Sequence, residues 1–212
     1  MCLVWFFTCS APVKTLLTED LQLSTMKLFA IVSLLACIGL AFAAPVEAEE
    51  PVEETEAELK ASPKIPGYDQ RQSNNAWAII KQIKKEKFGA NDLTACKIAF
   101  ATAITESNIY IYANNKVPAS LKYPYDKKGS DHDSVGIFQQ RAKYYPVAQA
   151  MDPAKSAHLF FKKMKNVKNW KKAKTAKQIG VIAQKVQVSA FPDRYAKHVG
   201  EAAKICKAGK IT

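Results

Sequence analysis

The stretch that most constrains this chain is residues 92–108, DLTACKIAFATAITESN. Leu93, Ala95, Cys96, Ile98, Ala99, Phe100, Ala101, Ala103 and Ile104 leave no wide polar face, so the spacing predicts a helix buried on nearly every side. Such a helix runs through the middle of a domain and needs other elements packed around it. Its far end carries Glu106, followed at once by Ser107 and Asn108. A carboxylate placed where a buried helix ends is half desolvated, which disfavours the charged form and raises its pKa toward the range a general acid needs.

The flanking segments supply partners for that helix. Ser73 or Asn74 is expected to cap a helix with Ala76, Trp77, Ile80 and Ile83 on one face, Lys81, Lys84, Lys85 and Lys87 outside, and Gly89 as its stop. Asn91 or Asp92 caps the central helix. Asp152-Pro153 opens another over 153–167, burying Ala157, Leu159, Phe160, Phe161 and Met164. Thr175 caps a helix over 176–189, and Pro192-Asp193 opens the last, carrying Tyr195, Val199, Ala203 and Cys206. The fold class read from this pattern is mainly α, a compact helical domain with one elaborated loop region and no internal repeat.

That region covers 109–135, irregular and holding Tyr110, Tyr112, Tyr123 and Tyr125. A loop so long inside a compact domain is usually functional, and tyrosines offer flat faces and hydroxyls suited to sugar rings as well as to ordinary packing. Gly136-Ile137-Phe138-Gln139-Gln140 follows, with a glycine that permits close backbone approach and two amides able to bind a polar ligand.

Upstream of the domain, MKLFAIVSLLACIGLAFA at 26–43 reads as a secretory signal peptide with a small-x-small cleavage signal, preceded by an extension over 1–25. The protein is therefore expected to be secreted and extracellular. Of the five cysteines, Cys2, Cys9 and Cys37 leave with the leader, so Cys96 and Cys206 pair with each other or stay as two buried thiols. Residues 44–66 form an acidic pro-region or linker, seven of whose residues are glutamates, and the domain is expected over 67–212. The whole chain has a formal net charge of +12, but residues 63–212 hold 28 Lys plus Arg against 10 Asp plus Glu, an excess of 18. The acidic stretch either masks this basic face or serves as a solvated linker.

Thr105-Glu106-Ser107 at a buried helix end, then a loop, then Gly136-Ile137-Phe138-Gln139-Gln140, resembles the Glu-Ser and Gly-Leu-Met-Gln motifs of goose-type lysozymes and soluble lytic transglycosylases. The run ASLKYPYDKKGSDHDSVGIFQQR, with SAFPDRYA downstream, is closer still to lysozyme-like domains of actinobacterial and phage cell-wall hydrolases and of small secreted fungal proteins. The chain departs from the transglycosylase pattern in having Ile137-Phe138 for Leu-Met, and SAFPDRY where an Ala-Tyr-Asn run stands. The resemblance implies a lysozyme-like fold whose substrate cleft is formed by the loop region. It makes Glu106 the general acid on the glycosidic oxygen, with Ser107 and Gln139 orienting the carboxyl or an N-acetyl group. Tyr123, Gly136, Phe138 and Gln140 are the further substrate-binding candidates, and Tyr195 is expected to bond Glu106 or to be a core ring.

Glycoside hydrolysis normally uses two carboxylates. Asp131 and Asp133 are the candidates for the second, with Asp126 third, and turn capping is their alternative use. Without a second carboxylate, Glu106 alone would support the intramolecular chemistry of a lytic transglycosylase. Adjacent residues such as Asp131-His132-Asp133 rarely converge on one ion, so no metal and no cofactor are expected. The positive excess favours peptidoglycan and anionic cell-wall polymers as partners over cationic or neutral polysaccharides, and no nucleic-acid recognition motif is present. The expected protein is a monomeric muramidase free of the membrane once its leader is removed; a non-catalytic cationic protein that binds bacterial envelopes is the alternative.

Overall fold

The structure, a computed structural model, describes residues 62–189, 191 and 193–212. The expected leader, its upstream extension and the acidic stretch up to residue 61 lie outside the described residues, as do positions 190 and 192. The described part is mainly helical. Among the described residues no helix is long and apolar enough to cross a membrane.

Among the described residues six α-helices make the body: α1 (Gln70–Glu86), α2 (Asp92–Ser107), α3 (Val147–Ala150), α4 (Pro153–Met164), α5 (Ala176–Gln187) and α6 (Val199–Ala208). Helix α2 is the axis. Ala95, Cys96, Ile98, Ala99, Phe100, Ala101, Thr102 and Ala103 are all fully buried, and α6, α5, α1 and α4 pack around them. Its small side chains let four neighbours approach closely, and the hydroxyl of Thr102 is satisfied by the carbonyl of Ile98 at 2.8 Å. Cys96 of α2 is disulfide-bonded to Cys206 of α6. Closing a loop of 110 residues contributes about 4–5 kcal/mol in the chain-entropy account.

Several expected boundaries move for identifiable reasons. Helix α1 starts at Gln70, because Asp69 rather than Ser73 or Asn74 is its cap, accepting from the Gln72 amide while the Gln72 side chain returns the bond. It ends at Glu86 with Lys87 left-handed, two residues before Gly89. Helix α4 stops at Met164, and the last segment begins as a turn and a 3-10 helix (Ala196–His198) before α6. Residues 62–66, expected in the acidic linker, belong to the domain. Ile65 is buried, its amide donates to Ser73 Oγ, and the Trp77 indole donates to the Pro63 carbonyl.

The loop region and the segment that follows it also carry short strands that irregular composition hid. β1 (Tyr112–Asn114) pairs parallel with β2 (Lys127–Gly129), and β3 (Ser134–Val135) pairs antiparallel with β4 (Gln140–Arg141). Asn114 is the fastener. Its amide nitrogen lies within hydrogen-bonding distance of the carbonyls of Asp131, His132 and Ser134, and its Oδ1 accepts from the Lys116 amide. One buried side chain thus holds the loop that bears both candidate aspartates.

Candidate active site

Glu106 occupies the last turn of α2, where two successive left-handed residues, Asn108 and Ile109, reverse the chain. A β-branched residue is strained in that conformation and persists only where its surroundings hold it. Here α1 does so: Gln72 Nε2 donates to the Asn108 carbonyl at 2.8 Å and Asn75 Nδ2 to the Ile109 carbonyl at 2.9 Å. The buried polar residues of α1 therefore fix the position of the helix end that carries Glu106.

The Glu106 side chain meets Tyr195, whose hydroxyl donates to Oε1 at 2.5 Å. Tyr195 is itself fully buried. Burial raises the Glu106 pKa above the ordinary glutamate value and is the largest influence. The Tyr195 hydrogen bond and the Arg194 charge oppose it, the negative charge of Asp131 adds to it, and the net direction is upward. The carboxyl also lies at the negative end of a helix dipole, which further disfavours ionisation. Burial and the same hydrogen bond push the Tyr195 phenol up, so it stays protonated and remains a donor. Together they form a carboxyl held in one orientation that keeps its proton to higher pH than an ordinary glutamate, the property a general acid needs.

The approach that sets this geometry involves a glycine the sequence reading passed over. A Cβ on Gly180 of α5 would lie 2.8 Å from the Ala196 amide nitrogen, so only glycine lets α5 close on the segment bearing Tyr195. Arg194 was likewise missed, as was Gln187, whose amide donates to the Phe138 carbonyl at 2.7 Å. The only signal for Gly180 was a glycine inside a helical pattern.

The two aspartates separate clearly. Asp133 accepts from the Arg141 guanidinium and from the Lys143 amide, and these bonds hold its pKa below the ordinary range. It fastens β4 to the loop. Asp131 is exposed, bonded at 2.7 Å to His132 Nδ1, and its charge acts on Glu106. Asp126 ties the loop to α1, its Oδ2 accepting from the Ile111 backbone amide and from Asn75 Nδ2, each at 2.8 Å.

Most of the expected substrate-binding residues make contacts within the protein. Phe138 is fully buried and stacked on Phe160, with ring centroids 4.6 Å apart. Gln140 is buried with both amide atoms bonded to Ser156, and the Ser107 hydroxyl donates to the Ala103 carbonyl of its own helix. Gly136 is buried, and a Cβ there would collide with the Ala150 carbonyl at 1.9 Å, so its close approach is to α3. Gln139 is half-buried, its nitrogen donating to the Gly136 carbonyl, and Tyr123 is exposed. Tyr110 is engaged by Asp69 and by the Lys127 ammonium 3.7 Å from its ring centroid. Among the described residues no group of three or more His, Cys, Asp or Glu is placed to hold a metal.

No protein-family model matches the sequence, and no curated protein is significantly similar to it.

Proposed function

We propose that the protein is a secreted, lysozyme-like peptidoglycan hydrolase, a muramidase that cuts between N-acetylmuramic acid and N-acetylglucosamine with Glu106 as general acid. The observation that carries this reading is the Glu106–Tyr195 pair at the end of the buried helix, with the carboxyl pKa raised by burial. A carboxyl whose pKa is raised holds its proton to higher pH than an ordinary glutamate and can give it to a bridging glycosidic oxygen as the bond breaks. Asp131 is the candidate for activating water, because Asp133 is committed to Arg141 and Lys143. The basic excess of residues 63–212 supports a polyanionic wall as the target.

Glu106→Gln tests the reading, since it removes the proton donor with little change of shape. Release of soluble fragments from purified peptidoglycan is expected to fall about a thousandfold. Unchanged release refutes catalysis and leaves a non-catalytic cationic envelope-binding protein. A second enzymatic reading, lytic transglycosylation by Glu106 alone, is favoured by the exposure of Asp131 and its lack of a fixed bond to Glu106. Product mass separates the two, because the anhydro product is lighter by one water.

A further inference from the structure

Residues 153–189 contain ten lysines and not one aspartate, glutamate or arginine. Two of the ten are paired, Lys155 with Asp152 and Lys165 with Glu86. Among the described residues Lys168, Lys172, Lys177 and Lys185 make no ion pair, and these four line one groove of about 420 Å³ floored in part by Ala173 and Ile182. Local structure explains how they converge. Asn169 is left-handed, and Trp170, only 5% exposed, anchors the turn, leaving Lys168 and Lys172 exposed on either side. The Thr175–Gln178 capping box then starts α5, on which Lys177, Val181 and Lys185 recur every fourth residue and so share a face. Crowding like charges in this way costs stability unless an anion neutralises them.

We propose that this groove is a docking site, separate from Glu106, for a linear phosphodiester polymer of the bacterial wall, of the poly(glycerol phosphate) kind. The choice of polymer rests on the wall-hydrolase reading given above; the choice of chemistry rests on the groove. From Lys177 to Lys185 the site spans about 12 Å along the helix, room for successive phosphates of an extended chain. Ammonium groups act as compact point charges that suit a flexible string of phosphates, whereas the planar fork of arginine, which grips bases and fixed phosphates in two places, is absent from the segment. Nucleic-acid strands also need exposed rings for bases to stack on, and Trp170, the one aromatic side chain of this turn, is buried. Val181, 37% exposed, is the only large apolar side chain the groove presents, far short of the apolar face that inserts into a lipid surface.

The test compares three forms of the full chain: wild type, K168Q/K172Q/K177Q/K185Q, and a charge-matched control K81Q/K84Q/K204Q/K207Q. All eight positions are exposed, so each variant is expected to fold, which melting curves check. Binding to purified poly(glycerol phosphate) at low salt is measured by calorimetry. The groove variant is expected to bind at least about tenfold more weakly and the control within about threefold of wild type. All three are expected to cleave peptidoglycan stripped of phosphate polymers at the same rate. Equal losses in groove variant and control, no binding by wild type, or tighter binding of DNA through the same four lysines would each overturn the proposal. Glu106→Gln separates it from the catalytic reading, because that variant should bind the polymer normally while failing to cleave.

Discussion

The ends of α1 and α2 each bury a glutamate, and the two are treated in opposite ways. Glu86, with a side chain only 6% exposed, is desolvated at the seam between α1 and α4. That burial is outweighed by hydrogen bonds from Lys165, His158 and Gln82, and the pKa falls below the ordinary value. Glu106 is also desolvated, but among the described residues a neutral phenol is its only side-chain hydrogen-bond partner, Arg194 acts on it through its charge, and its pKa rises. Burial alone therefore does not make a proton donor. What separates a structural carboxylate from an acid is whether the fold supplies enough donors and cations to offset the lost water.

The comparison breaks most visibly at Tyr195. Tyr195→Phe removes the hydroxyl that holds Glu106, and wall cleavage is expected to fall about tenfold to a hundredfold. The same change removes an influence that lowers the Glu106 pKa, so the descending limb of the pH profile should move to higher pH. An unmoved limb with full activity would reduce Tyr195 to a core ring.

Gly180→Ala acts at one remove. Overpacking against Ala196 costs about 1–3 kcal/mol, more than the roughly 1 kcal/mol of helix propensity gained, and Tyr195 is displaced with its segment. Loss of activity should exceed loss of stability, as read by kcat and melting temperature together. A variant that is simply more stable and fully active would show that the approach of α5 does not set the site.

Glu86→Gln is the smallest and sharpens the contrast. Its partners are about half exposed, so the expected loss is only about 1–2 kcal/mol, with cleavage per folded molecule unchanged. Because the folded pKa of Glu86 is depressed, its contribution is present above the unfolded value and lost as pH falls through the folded one. Denaturant melts of wild type and variant should therefore differ at neutral pH and converge in acid.

The central helix and Glu106 were legible because an apolar run without a polar face has few places to go, and its terminal carboxylate goes with it. Counting the cysteines of the domain left Cys96 and Cys206 as either a disulfide or two buried thiols, and the structure bonds them. The burial of Glu86 was not legible: a charged stretch of α1 reads as solvated, and only the packing of α4 brings His158 and Lys165 over it. The same limit applies to Phe138, Gln140 and Gly136. Sequence order places them beside a ligand-like motif, while tertiary contacts with Phe160, Ser156 and Ala150 assign them to the core. Asp131 and Asp133 stand two residues apart in one motif, and the positions of Arg141 and the Lys143 amide distinguish them.

The most direct measurement is a carbon-13 NMR titration of glutamate carboxyl groups, assigned with Glu106→Gln and Glu86→Gln; residues 62–212 hold only three glutamates, Glu86, Glu106 and Glu201. Glu106 should titrate above the ordinary glutamate value and Glu86 below it. A Glu106 that titrates at or below the ordinary value would contradict the account.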